Sequence, residues 1–253
     1  MRSGVSPEVV AVIPARLAST RLPGKVLREL HGRSMLAWVY AAVARAARVD
    51  AVWVATADGE VAAAAREMGA EVVVTRDDHT TGTDRVADAV AQLAEAGVRP
   101  RVVVNVQADE PTLSGDVIDA LVGAFDDPGV EIATLATRAR DAVEVADPDV
   151  VKVVCDGRGD ALYFSRAPIP YARDGEMLDV ARVHVGVYAF RAGALRRFAA
   201  ARPSPLEALE RLEQLRALHH GWRVRVVETA WRGVGVDTER DLERARALLG
   251  GIP

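Results

Sequence analysis

Two rhythms of apolar and polar positions run along this chain. Short apolar runs recur at residues 9–13, 51–56, 71–75 and 101–107, each long enough for a strand and too short for a typical helix. Between them the apolar spacing lengthens to that of helices. One helix is predicted over 34–49 with Ser34 as its cap, and an alanine-rich one over 60–68 with Gly69 just past its end. Another starts at Asp84 and a fourth spans about 115–125. Strands alternating with helices predict a mostly parallel sheet with covering helices, an α/β class of Rossmann-like type. The second half is less regular. Residues 131–137, 151–155, 161–165 and 184–190 read as strands, and no long helix separates the first three, which predicts a smaller mixed lobe. The Pro-, Arg- and Asp-rich stretch 165–182 reads as a loop or an interface arm. A short helix over 192–200 is followed by a longer one over 204–221, where Ser204, Pro205 and Glu207 form a capping box with proline at N1. A strand over 223–228 and a last helix capped by Thr238, with Asp241 at N3, complete the chain.

Composition narrows the class. A chain of 253 residues with 50% hydrophobic content supports one large domain, or one domain carrying a lobe. Its 32 Lys+Arg against 36 Asp+Glu leave a net charge of -4, which argues against a nucleic-acid polymer as partner. No apolar run reaches the length of a membrane span, and the opening MRSGVSPE has no apolar core of a secretory leader, so a cytoplasmic protein is expected. The single cysteine, Cys155, sits in a strand-like run and reads as a buried structural thiol.

Chemistry concentrates where strands end. After the first run, Pro14 opens a stretch bearing Arg16, Arg21 and Lys25 among Ala15, Ala18, Ser19, Thr20 and Gly24. A buried strand feeding such a loop suits a polyanion; a solvated basic loop is the plain alternative. The fourth run ends in NVQADEP, where Asp109 is either a ligand for a hard cation such as Mg²⁺ or a turn residue, and Glu110 suits a turn. Asp237 offers a second carboxylate ahead of the last helix. In HTTGTDR, residues 79–85, Thr81, Thr83 and Arg85 could bond a base or ribose, or the segment is a helix start capped by Thr83 or Asp84. DGRGD, residues 156–160, is a hairpin turn, being too short for a calcium loop. The histidines show no zinc spacing, and neither a GxSxG elbow nor a Walker A loop occurs.

The stretches IPARLASTRLPGK, VWVAT, TGTDR, VVNVQADEP, LYFSRAPIP, HVGVYAFRAG, SPLEALERLEQLR and GVDTERDLERAR, in this order, resemble the 3-deoxy-manno-octulosonate cytidylyltransferase family over essentially the whole chain. The resemblance implies a single nucleotidyltransferase domain over 1–253. Within it, 1–126 mainly binds CTP, 127–230 forms the acceptor-binding and dimerisation lobe, and 231–253 returns to the metal site. It implies transfer of CMP from CTP to an acidic sugar, 3-deoxy-manno-octulosonate (Kdo) first, in a Mg²⁺-dependent homodimer. By the same resemblance Ala15, Arg16, Arg21, Lys25, Thr81, Arg85 and Gln107 hold the nucleotide, and Arg16, Lys25, Asp109 and Asp237 carry catalysis. Asp109 and Asp237 hold the metal. Gln107, Arg166, His184, Tyr188, Glu213 and Gln214 surround the acceptor, with Arg166 pairing bidentately with its acid group. The chain departs from the family's pattern at Ala57, Ala108 and Thr81. Ala108, where the family has glycine, would be strained if its φ were positive. These departures keep two alternatives open: a phosphonoformate cytidylyltransferase, and a CTP-binding regulatory protein without catalysis.

Overall fold

The computed structural model describes residues 7–19, 21–174 and 178–250; residues 1–6 of the opening segment, Thr20 of the cationic loop and residues 175–177 of the 165–182 arm lie outside them. The chain divides into two compact units, residues 1–122 with 232–253, and residues 123–231.

The first unit begins with strand β1 (Val9–Pro14), buried at every position. A small hairpin, β2 (Glu29–Leu30) and β3 (Arg33–Ser34), leads into α1 (Met35–Ala44), followed by β4 (Ala51–Thr56), α2 (Gly59–Glu67) and β5 (Glu71–Val74). Then come α3 (Gly82–Glu95), β6 (Val102–Asn105) and α4 (Gly115–Gly123). The strands lie in the order β6-β1-β4-β5, all parallel, with Val10 opposite Ala51 and Val9 opposite Val102. Because β1 is flanked on both sides, its unbroken apolar sequence is what its position requires. Two predicted helix limits move. Helix α1 stops at Ala44 rather than near residue 49 because the carboxylate of Asp119, on α4, accepts the N–H groups of Ala47 at 2.9 Å and Arg48 at 2.7 Å. Those donors are removed from any further helical turn. Helix α3 starts two residues early, with Thr81 as its cap in place of Thr83 or Asp84: Thr81 Oγ1 accepts from Asp84 N at 3.1 Å. Thr83 is buried and accepts from Asn105 Nδ2 instead.

The second unit contains β7 (Ile132–Arg138), α5 (Ala142–Ala146), β8 (Lys152–Cys155), β9 (Ala161–Ser165) and β10 (Arg182–Arg191). It continues with α6 (Ala192–Ala200), α7 (Pro205–Glu210), α8 (Leu215–His219) and β11 (Arg225–Glu228). Here β10 runs antiparallel to β7 and β8, β8 and β9 form a hairpin, and β11 lies parallel to β7. The hairpin turn is the DGRGD segment, with Asp156 Oδ1 accepting from the N–H groups of Arg158 and Asp160. Cys155, at its start, is half-buried rather than enclosed, and burial pushes its thiol pKa up, away from nucleophilic use.

The predicted helix over 204–221 is broken. Its capping box is present, but Arg211 takes φ 54 and the chain restarts as α8 after Gln214. The cause lies 44 residues away: Arg166 Nε donates to the carbonyl of Glu210 at 2.8 Å, the acceptor that a continuing helix would need. A fork from Arg216 Nε and Nη2 to the Glu207 carboxylate, at 3.0 and 2.5 Å, ties α8 back to α7.

The chain then returns to the first unit and ends in α9 (Glu239–Leu249), whose Thr238–Asp241 capping box forms as expected. Leu242, Ala245 and Leu249 of α9 cluster with Leu22, Leu30, Met35 and Val236. That cluster brings the end of the chain against the loop that leaves β1. Among the described residues no helix is long and apolar enough to cross a membrane.

Candidate functional site

Strands β1, β4, β5 and β6 all point the same way, so their C-terminal ends share one edge, where open α/β sheets bind ligands. A cavity of about 590 Å³ opens there. Its wall includes Ala15, Arg16, Arg21 and Lys25 after β1, Thr81 and Arg85 around the start of α3, Gln107 and Asp109 after β6, and Asp237 ahead of α9. Every nucleotide and metal residue expected in this unit therefore lines a single space. Ser19 and His79 line it too, without having stood out in the sequence as ligand-facing.

The loop after β1 is pinned by its own backbone and by Asp58. Leu17 N donates to Asp58 Oδ2 at 2.8 Å, Gly24 N to Leu17 O at 3.0 Å, and Gly24 takes φ 65, a left-handed conformation that suits glycine. Asp58 thus does structural work beside Ala57. Lys25 emerges from this turn into the cavity, where Nζ donates to Asp109 Oδ2 at 2.7 Å, Asp237 Oδ1 at 2.9 Å and Val236 O at 3.0 Å. Arg21 Nη2 stands 2.8 Å from Asp237 Oδ2. The two aspartates are brought together by the backbone bond from Val236 N to Asp109 O, 2.9 Å. Burial alone would lower the Lys25 pKa; Asp109 and Asp237 outweigh it and hold the ammonium above its ordinary value.

Glu110 is the residue that sequence reasoning undervalued. Its Oε2 is sealed from solvent and has no hydrogen-bond partner. Burial, reinforced by the charges of Asp109 and Asp237, pushes its pKa up to about 8, so the acid is mostly protonated at neutral pH. The signal was its place beside Asp109 at a buried strand end. Ala108 is buried and its φ is not positive, so the extra methyl brings no backbone strain.

On the far side of the cavity, Gly82 meets Gln107 closely: a Cβ there would stand 3.2 Å from Gln107 Oε1 and 3.4 Å from Pro14 Cγ. Arg85 differs from expectation. It is buried, and Nη1 is committed to Thr75 Oγ1 at 2.6 Å and Arg76 O at 3.2 Å, so only its other N–H groups can serve a ligand. Thr81 caps α3 and lines the cavity at once.

The expected acceptor residues Arg166, His184, Tyr188, Glu213 and Gln214 belong to the second unit. His184 and Tyr188 flank the bulge in β10, their ring centroids 5.4 Å apart, and Phe164 packs edge-on against His184. The hydroxyl of Thr134 donates to Val187 O at 2.8 Å and accepts from His184 Nε2 at 2.9 Å. This assigns the imidazole proton to Nε2 and leaves Nδ1 as an acceptor. Burial lowers the His184 pKa to about 3, so the ring is neutral. Burial, then the nearby charge of Glu213, raises the Tyr188 pKa well above its usual value. Gln214 is buried at the start of α8, so Glu213 and Gln214 sit in the helix break and not on a continuous helix. Arg166 is also constrained. With Nε on Glu210 O and Nη1 on Pro148 O at 2.9 Å, its Nε–Nη2 edge is engaged, and the Nη1–Nη2 end is the part of the guanidinium left for a ligand.

Comparison with known proteins places these features in a family. The cytidylyltransferase family profile matches residues 10–226. A 3-deoxy-manno-octulosonate cytidylyltransferase of Anaeromyxobacter sp. (strain Fw109-5) is 52% identical over 245 residues, covering 97% of this chain and 98% of that protein. A solved CMP:2-keto-3-deoxy-manno-octonic acid synthetase, complexed with CTP, superposes with a TM-score of 0.89 at 41% identity, covering 96% of this chain and 98% of its own. A cytidylyltransferase of Leptospira borgpetersenii, at 16% identity and a TM-score of 0.64, covers 97% of this chain and 88% of its own, and shares the fold alone.

Proposed function

The chain belongs to the 3-deoxy-manno-octulosonate cytidylyltransferase family, and from that premise we propose that it transfers CMP from CTP to Kdo, releasing pyrophosphate. The observation that carries the reading is the meeting of Arg21, Lys25, Asp109 and Asp237 in one cavity at the sheet edge. Phosphoryl transfer between two anions needs cations near the phosphates and carboxylates for a metal, and this cavity holds both.

Asp109 and Asp237 fit Mg²⁺. Their oxygens converge on one point, now shared by the Lys25 ammonium, and a pair of carboxylates completed by phosphate oxygens is how Mg²⁺ is usually held. When bound, the metal neutralises phosphate charge and polarises the α-phosphorus for attack. The protein's own residues do the rest. Arg16, Arg21 and Lys25 take the β- and γ-phosphates and stabilise charge on the departing pyrophosphate. Ala15, Thr81, Arg85 and Gln107 hold the nucleoside. A hydroxyl oxygen of the acceptor forms the new bond to the α-phosphorus as the bond to the β-phosphate oxygen breaks, and its proton is lost to solvent. No covalent intermediate on the protein is required; orientation and electrostatics supply the rate.

For the acceptor, Arg166 Nη2 meets the carboxylate, while His184 Nδ1, Tyr188, Glu213 and Gln214 take sugar hydroxyls. The second unit is the acceptor-binding lobe in this scheme and also the dimer contact. Among the described residues, most of the large exposed apolar side chains belong to it, Leu162, Tyr171, Val180 and Leu209 included, and a second copy would cover apolar area there. We place the reaction in the cytoplasm, with the nucleotide pool.

Pyrophosphate release, measured with CTP or UTP against Kdo, amino-Kdo, sialic acid and phosphonoformate, tests the proposal. Turnover with CTP and Kdo well above the other acids is expected. Turnover with phosphonoformate alone would refute the Kdo assignment, and CTP binding with no release would favour a regulatory role.

A further inference from the structure

Lys152 is among the largest fully buried side chains of the described residues and lies in an otherwise apolar strand. Its Nζ donates to three backbone carbonyls: Asp147 at 2.7 Å, Val150 at 2.6 Å and Arg166 at 2.5 Å. An ammonium has three N–H donors, so all are used and none remains for a ligand. Enclosing a cation this way is costly, whereas methionine would fill the same space without desolvation. Its worth must therefore lie in what the three bonds hold in place.

They hold both ends of Arg166. The backbone carbonyl of Arg166 is one acceptor. The other two, Asp147 and Val150, bracket Pro148, whose carbonyl accepts from Arg166 Nη1. On the opposite side Glu210 accepts from Arg166 N through Oε2 at 2.9 Å and from Nε through its carbonyl, and its Oε1 accepts from Ser165 Oγ at 2.7 Å. Arg166 is thus clamped between Lys152 and the end of α7, and none of these bonds uses Nη2. We propose that Lys152 is a positioning residue for acceptor recognition: it fixes Arg166 and the 147–150 loop so that Nη2 is presented to the acid group of the acceptor. The proposal rests on the assignment of Arg166 to the acceptor made above.

Lys152→Met should raise KM for Kdo by about tenfold or more while kcat and KM for CTP stay within about twofold, because the nucleotide residues lie in the other unit. In an Arg166→Ala background the same change should add nothing further, since its effect passes through Arg166. A parallel rise in KM for CTP, or effects of the two changes on KM for Kdo that multiply, overturns the proposal. Lys152→Gln, which keeps an amide donor, should recover part of the loss. Failure of both variants to fold assigns Lys152 to folding alone and also overturns it. Wild-type protein inert towards every acid would instead sink the proposed function. Hydrogen exchange at Arg166 Nε–H then decides the question for Lys152: about tenfold faster exchange in Lys152→Met supports the clamp, and unchanged exchange overturns it.

Discussion

At the scale of single residues, Lys25 links the charges of the nucleotide cavity. In the free protein its ammonium is the counter-ion of both Asp109 and Asp237. Lys25→Met should cut kcat/KM about 10²- to 10³-fold, as removal of one charge-stabilising donor does. It should also cost about 1–3 kcal/mol of stability, because two carboxylates lose their partner. Mg²⁺ should restore the unfolding midpoint but not turnover; recovery of turnover by Mg²⁺ would show that the lysine serves only to hold the aspartates. His184 gives a second test. Its folded pKa of about 3 lies below the unfolded value of about 6.5. In that window the unfolded chain takes up a proton that the folded one refuses, so stability falls as pH falls, by up to about 1.4 kcal/mol per pH unit. Denaturant unfolding at pH 7 and pH 5 should show His184→Gln losing about 2 kcal/mol less than wild type between the two. Equal losses would mean that the ring is not held neutral. Lys25, Asp109 and Asp237 stood out as charges at strand ends, yet a basic loop or turn residues would read the same way, and the family resemblance was what singled them out. Lys152 and Glu110 were not legible, since their meaning depends on which carbonyls or charges surround them after folding.

Among the elements, the ones set by neighbouring residues were the readable ones. The Thr238–Asp241 and Ser204–Glu207 boxes form as their spacing requires, and α6 (Ala192–Ala200) matches its expected limits. The break between α7 and α8 was unreadable because a distant arginine takes the Glu210 carbonyl. Likewise Asp119, far along the chain, ends α1. The break is a further point of test. Arg211 sits at φ 54, a conformation that costs an ordinary residue about 1 kcal/mol and glycine very little. Arg211→Gly should therefore be neutral or stabilising by up to about 1 kcal/mol in denaturant unfolding, and Arg211→Val destabilising. Stabilisation by valine would mean that the segment prefers an extended path over this turn.

For the whole molecule, sheet class and strand order along the chain follow from the alternation of apolar runs and helical periods. The cavity follows from the shared direction of the strands. Which acid the protein uses was not visible at that level, because the side chains proposed to select it lie just after β9, on β10 and in the α7–α8 break. Sedimentation equilibrium should find a dimer, and Leu162→Glu, on the exposed side of the β9 edge strand, should shift it towards monomer. A wild-type monomer at micromolar concentration would refute the dimer. ³¹P NMR of CTP, Kdo and Mg²⁺ with the wild-type protein follows the proposed reaction itself. The expected outcome is loss of the triphosphate signals in step with equal amounts of pyrophosphate and a new phosphodiester that requires Kdo. Triphosphate that persists with Kdo present, or CMP appearing as the free monophosphate without the diester, would contradict it.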